Sequence, residues 1–396
     1  MIAIRRELNL ADIEILYKLY RDESVSNKVD IELPNEFKEE TIAVLPSLIQ
    51  FISTIIRDGN LDKLKSRLDY KSEKDKVANT AKSYLWYVAS SLHWLKDFTY
   101  KRGESIKSDV KPTNQIINEL MRNYKPLGTS FMTTCFDHLS KNAGLVKMFY
   151  QPPDYLIVDE DMVEQYINQI LKNLGERLNK SMFANLHSLL KPLNTIIYEL
   201  FKNTDDWATK DRLGNKIQPS VRGVYFRYYK NFQENIKNYT EDNSLLNSYF
   251  SHKIFIPDNE KKISFLEISV FDSGDGFVGR RLGKDYNDSV SISEEVSIVK
   301  QCLTKYWTNE EGKKGVVKGF GLDRVLSTID KKGFIRIRTN KICVCRDMIS
   351  NSYKTEQESE NIELYDWTTR SNKEFQSNYN VKGSVITIIL PLNALQ

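Results

Sequence analysis

Near residue 210 the hydrophobic period of this 396-residue chain changes, and that change restricts its folds more than any other feature. Upstream, apolar residues recur three and four apart, as on a helix face. Downstream they gather into short runs rich in β-branched and aromatic types. Val221-Arg-Gly-Val-Tyr-Phe-Arg-Tyr-Tyr229, Ile263-Ser-Phe-Leu-Glu-Ile-Ser-Val-Phe271 and Phe334-Ile-Arg-Ile-Arg338 read as strands. So do Ile342-Cys-Val-Cys345, joined to the preceding run through Thr339-Asn340-Lys341, and Ser384 to Leu390. The expected class is α+β. A C-terminal α/β sandwich, with a mixed, largely antiparallel sheet and helices on one face, follows a mostly α-helical N-terminal module.

In the first half, Val29-Asp-Ile-Glu-Leu33 alternates like a strand and Pro34-Asn35 ends it. Helical patterns follow over 39–57, 61–69, 74–101, 112–123 and 128–148. The 74–101 segment carries Tyr84, Trp86, Tyr87, Val88, Leu92, Trp94 and Leu95 and reads as a core helix. Pro152-Pro153 is a breaker, and helices over 159–181 and 185–208 come next. The reading is a recognition or oligomerisation module over 1–150 and a second domain over 151–396. Polar stretches at 232–260 and 347–382 read as surface insertions.

Composition excludes several classes. Fifty-seven basic residues against 53 acidic ones leave a net charge of +4, which does not indicate a nucleic-acid partner. No stretch reaches the ~20 apolar residues of a membrane span. The most apolar helix candidate, Ile42 to Ile56, is interrupted by Pro46, Ser47, Gln50, Ser53 and Thr54. Arg5, Arg6 and Glu7 argue against a secretory leader. Cys135, Cys302, Cys343 and Cys345 lack zinc-site spacing and read as reduced thiols of a cytoplasmic protein.

Four short motifs carry the chemistry. In Glu199-Leu-Phe-Lys-Asn203 the acid and the amide lie one helical turn apart on one face, and Asp206 lies three further on. An amide oxygen there suits Mg2+, and a carboxylate suits orienting or deprotonating a water. Asp272-Ser-Gly-Asp-Gly276 follows a strand. A carboxylate at that point can accept from an exocyclic amine, while Gly274 and Gly276 let the backbone approach a flat ligand. Lys318-Gly319-Phe320-Gly321-Leu322, preceded by Lys313 and Lys314, opens a helix over 323–329, where amides and lysines favour an anion. Gly383-Ser384 begins the last strand. Singly, these read equally as a solvated helix face, an Asp-Gly turn and a lysine-rich loop.

In this order the motifs resemble the GHKL superfamily. It includes DNA gyrase and MutL-type ATPases, the ninety-kilodalton heat-shock chaperones, sensor histidine kinases and mitochondrial dehydrogenase kinases. The resemblance covers residues 185–395. It implies a Bergerat-fold pocket for ATP and Mg2+, with Glu199 as general base, Asn203 on the metal and Asp272 on the adenine amine. It also implies that Gly274, Gly276 and Phe277 wall the adenine and ribose. Lys318, Gly319, Phe320, Gly321 and Leu322 would hold the phosphates under a lid over 278–318. Asp206 and Lys210 would line the pocket, and Ser384 would stand where relatives often carry Thr near the adenine.

The histidines do not fit a phosphoacceptor. His93 precedes Trp94-Leu95, His138 precedes Leu139-Ser140, and His187 has the surroundings of a packed or surface residue. The leading expectation is a Mg-dependent ATPase whose nucleotide state switches contacts with a protein partner or a second copy. The alternatives are a protein kinase acting on a partner, and a nucleotide-binding scaffold with negligible turnover.

Overall fold

The computed structural model describes residues 1–24, 28–38, 41–175, 187–241, 243–304, 321–355 and 358–392. The first half is helix-rich, but its helices surround a parallel sheet. Strands β1 (Ile2–Ala3), β2 (Val29–Leu33), β3 (Leu61–Ser66) and β4 (Phe98–Thr99) pair in that order, all parallel. Parallel neighbours require crossovers. Helices α1 (Leu10–Ser24), α2 (Val44–Arg57) and α3 (Tyr84–Leu92) lie between the strands, and α4 (Lys107–Arg122) follows β4.

Three expectations for this half are corrected. Residues 61–69 form β3, not a helix. A register shift opposite Val29 and Ile31 pairs them with Leu61 and Leu64, so two leucines three apart both point inward and imitate a helical period. The 74–101 segment is not one helix. Ser83 starts a fresh helix by accepting a hydrogen bond from the Trp86 amide, and α3 ends at Leu92 before β4. Within 128–148 lies strand β5 (Ser130–Cys135), all six of whose residues are buried. A strand covered on both faces shows no alternation.

A hairpin, β6 (Tyr150–Gln151) with β7 (Leu156–Ile157), leads to helices α5 (Glu160–Gly175) and α6 (Leu190–Ala208). Strand β8 (Arg222–Phe232), helix α7 (Ser244–Phe250) and strand β9 (Lys262–Asp272) come next. Then follow helices α8 (Gly276–Leu282), α9 (Ile292–Cys302) and α10 (Gly321–Thr328). The last strands are β10 (Phe334–Asn340), β11 (Ile342–Asp347), β12 (Tyr365–Asp366) and β13 (Val381–Pro391). Seven strands form one antiparallel sheet in the order β12-β11-β10-β13-β9-β8-β5.

Both faces of this sheet are buried. Val224, Phe226, Ile268, Val270, Ile337, Ile386 and Ile388 pack beneath α5, α6 and α10. Tyr225, Tyr229, Phe265, Phe271, Val385 and Ile389 face the other way, against α2 and α7. A boundary at residue 150 therefore cuts through continuous structure: β5 is an edge of the large sheet, and α2 covers its second face. The polar stretches at 232–260 and 347–382 are also more than surface excursions. The former contains α7, whose buried Tyr249 hydroxyl contacts the carbonyls of Lys332 (2.8 Å) and Ile389 (3.0 Å). The latter supplies β12 and the buried Ile362, Leu364 and Asp366.

Covering on both faces has a measurable consequence. Ile388→Ala and Ile389→Ala point to opposite faces, and each is expected to cost about 2–5 kcal/mol in denaturant unfolding. A sheet with one solvated face would register only one of the two losses.

Candidate functional site

Helix α6 buries Ile196, Ile197, Leu200, Phe201, Thr204 and Ala208 against the sheet. That orientation leaves Glu199 and Asn203 along its flank, one turn apart and partly buried. Opposite, β9 ends at Asp272, which pairs with Arg222 of β8 and, one residue past the Phe271–Val385 pair, lies beside Ser384 of β13. The chain then turns through Ser273, Gly274 and Asp275 into α8. The first amides of α8 are held by the end of β10: Phe277 donates to Thr339 Oγ1 (3.1 Å) and Val278 to Asn340 Oδ1 (3.0 Å).

Between α6 and the sheet lies a cleft of about 920 Å³ including its open mouth. Its apolar wall comes from Leu200, Val270, Phe277, Leu322 and Ile386, with Asp272 and Ser384 at the strand ends and Asn203 and Gly321 on another side. Thus the four motifs, distant in sequence, converge on one space. A mainly apolar cleft with a few placed polar groups is the usual form of a small-molecule site.

Two glycines are required by geometry. Gly383 has φ +71°, and a Cβ there would lie 1.9 Å from the Asp272 carbonyl oxygen. Its amide instead donates to the Gly274 carbonyl at 2.6 Å, closing β13 onto the turn. Gly276 has φ +72°, and a Cβ would come within 2.4 Å of Asn340 Oδ1.

The Asp272 carboxylate accepts the Gly274 amide at 2.7 Å. Burial pushes its carboxyl up to about 6, against the lowering influence of the Gly274 and Ser384 amides and of Arg222 and Arg57. Glu199 and Asn203 meet at Gly321. A Cβ on that glycine would lie 3.1 Å from Glu199 Oε2 and 3.3 Å from Asn203 Nδ2. Glu199 itself stands just behind the cleft lining, and its Oε1 accepts from Arg324 at 2.8 Å.

Asn203, Asp272, Gly276, Phe277, Gly321, Leu322 and Ser384 line the cleft, and Gly274 shapes the turn beside it. Asp206 and Lys210 are not among the lining residues. Asp206 lies past Asn203 on α6, and Lys210 is exposed in a bridge with Lys216. Lys318, Gly319 and Phe320, with Lys313 and Lys314, fall outside the described residues. Of the expected lid, 278–304 is described and forms the rest of α8 and all of α9. Among the described residues, no group of three or more His, Cys, Asp or Glu side chains converges as a metal site. A lone amide oxygen such as that of Asn203 still fits an ion that keeps its waters and arrives on phosphates.

The sequence reading missed several contributors. Trp207 lines the cleft one turn beyond Asn203, and Arg280 lies over its ring at 5.1 Å. Cys302, at the end of α9, also faces the cleft. Most consequential is α2. Its Arg57 donates to the carbonyls of Ser273 and Gly274 and to Asp275 Oδ1 (2.9 Å). Gln50 donates to the Gly383 carbonyl (3.3 Å), and Thr54 Oγ1 accepts the Lys382 amide (3.1 Å). The available signal was the set of polar residues interrupting Ile42 to Ile56. No protein-family model, curated protein or solved structure matches this chain.

Two outcomes follow from the turn. Gly383→Ala should destabilise the chain by about 3 kcal/mol or more, seen as a lowered melting temperature, because the backbone of the turn cannot yield. Asp272 has a carboxyl raised above its unfolded value, so the folded chain favours its protonated form. The corresponding stability is fully present below about pH 4 and is lost as pH rises through about 6. Asp272→Asn removes this penalty. Without nucleotide it should be more stable than the parent at pH 7.5, on the order of 2 kcal/mol, with the difference vanishing towards pH 4.

Proposed function

We propose that the chain binds ATP in this cleft and hydrolyses it, using the nucleotide state to bias the N-terminal module. The observation that carries this reading is the convergence of Asp272, Asn203 and Gly321 on one apolar-walled cleft, with Glu199 against the same glycine. It also agrees with the GHKL resemblance of the motifs.

The chemistry follows from the donor set. An adenine ring is flat and apolar on its faces and carries an exocyclic amine on its edge. Leu200, Val270, Phe277 and Ile386 supply walls for the faces, and the Asp272 carboxylate accepts from the amine. The triphosphate then runs towards Asn203 and the N-terminus of α10 at Gly321, where backbone amides favour an anion. The Asn203 oxygen would hold Mg2+, which supplies charge neutralisation on the phosphates when bound. Glu199 takes the proton of the attacking water as its oxygen bonds to the terminal phosphorus. The bond from that phosphorus to the bridging oxygen breaks, and its electron pair leaves with ADP.

The switch part of the proposal rests on α2. Arg57, Gln50 and Thr54 grip the turn at 273–275 and the start of β13 from behind, so a shift of that turn on nucleotide binding is felt by the N-terminal module. The module would then offer a partner or a second copy a different surface.

The test is phosphate release from Mg-ATP with binding measured in parallel. Wild type is expected to bind and release phosphate. Glu199→Gln should bind within about twofold of wild type but turn over about 100-fold or more slowly, the usual effect of losing a general base. Asp272→Asn should lose binding. No binding by wild type rejects the reading. Label from the terminal phosphate on a protein, instead of in free phosphate, would replace hydrolysis with kinase activity.

A further inference from the structure

Glu199 does not stand alone. Arg324, on α10 and three residues beyond Gly321, donates through one guanidinium nitrogen to Glu199 Oε1 at 2.8 Å. The same nitrogen donates to Glu160 Oε2 at 2.7 Å, and the second terminal nitrogen donates to Glu160 Oε1 at 2.9 Å. Glu160 is the first residue of α5. Its carboxylate also accepts the Thr195 hydroxyl (3.0 Å), and its carbonyl accepts the Asn194 amide group (3.1 Å), both from α6. One cation therefore ties together α5, α6 and α10. It is forked onto Glu160 and bonded singly to Glu199.

The asymmetry has chemical meaning. A bidentate pair fixes a guanidinium in orientation as well as position. Held this way by Glu160, Arg324 occupies Oε1 of Glu199 and leaves Oε2 beside Gly321, on the side where Asn203 lies. Among the described residues, no hydrogen bond to Glu199 Oε2 is made. The base would thus be presented with one oxygen anchored and the other available to a water. Without the cation, Glu160 and Glu199 would be two like charges near one another, and Glu199 would lose the bond that selects its rotamer.

We infer that Arg324 is a positioning residue for Glu199, and that Glu160 is the anchor that sets Arg324. This rests on the hydrolytic reading of the cleft and adds to it two residues outside all four motifs. Arg324 touches the base and is not assigned to the substrate, so its effect belongs on turnover and not on nucleotide affinity.

The experiment measures turnover and ATP affinity separately for the full chain and for Arg324→Ala, Arg324→Lys, Glu160→Gln and Glu160→Gln/Arg324→Ala, with melting temperatures. Arg324→Ala is expected to lower kcat about tenfold or more with Kd for Mg-ATP within about twofold, the signature of lost orientation. Arg324→Lys should recover part of that loss, since it keeps the charge but not the fork. The double variant should be no slower than Arg324→Ala alone, because Glu160 acts through Arg324. If Arg324→Ala melts too low to assay, the comparison rests on Arg324→Lys and Glu160→Gln, each slower than wild type at unchanged Kd. The inference is overturned if Glu199-dependent turnover is intact or faster in these variants, or if kcat and Kd change together. Absence of any Glu199-dependent phosphate release in wild type overturns the hydrolytic reading and this inference with it.

Discussion

Strand β13 enters the large sheet by crossing the turn that follows β9, with the Gly383 amide 2.6 Å from the Gly274 carbonyl. There is no room for a side chain at that crossing. The contact sets the end of β9, and hence where the Asp272 carboxylate emerges. It brings Ser384 alongside Asp272 and opens the Gly383 carbonyl to Gln50 of α2. One backbone-to-backbone approach therefore determines the cleft floor and joins it to the helix behind. A burial cost at Asp272 accompanies this arrangement.

The second organising fact is that the sheet is covered twice. Helices α5, α6 and α10 pack on one face and leave the cleft at their edge. Helix α2 closes the other face together with α7 and is itself buried along nearly its whole length, polar residues included. Its polar side chains are largely met: Ser47 Oγ accepts from Arg336, and the Gln50 amide nitrogen, Ser53 and Thr54 find backbone groups, while Gln50 Oε1 has no partner among the described residues. Gln50 reaches carbonyls of Arg338 and Gly383, and Ser53 and Thr54 bond back to the Gln50 carbonyl. The buried Glu267 is satisfied in the same layer by the Ala43 amide and by the hydroxyls of Tyr229 and Ser269. Polar matching of this kind fixes α2 in register on the sheet, whereas a purely greasy interface would let it slide.

How much was legible varies by region for a physical reason. Strands β8, β9, β10 and β13 were legible in their middles because each carries a β-branched or aromatic run, though β8 and β13 extend three residues beyond it, and the short β11 was legible as the return of β10 through a tight connection. Helix α6 was read because its apolar spacing is regular. Strand β3 was misread because its bulge gives Leu61 and Leu64 a helical spacing, and β5 because burial on both faces erases alternation. Strands β1 and β4 are two residues long, too short to carry any period. Of the site, Asp272, Gly276 and Gly321 were visible because each sits where an element begins or ends with distinctive local chemistry, and Asn203 because it stands one turn from Glu199 within α6. Arg57, Trp207, Arg280 and Arg324 were not, since an arginine or tryptophan inside a helix carries no local mark of what it faces.

By itself, the sequence determined the α+β class, the antiparallel strands of the second half, and the four short motifs with the residue types a nucleotide would need. Those are local properties, set by period, turn chemistry and side-chain type within a few residues. Only the tertiary structure decided that the four motifs share one cleft, that Asp206 and Lys210 are not part of its lining, and that α2 grips the turn from behind. It alone decided that Arg324 stands between Glu160 and Glu199. Those relations join residues separated by as much as 333 positions, as Gln50 and Gly383 are. Pairings at that distance depend on how the sheet is ordered and covered, which no local pattern records.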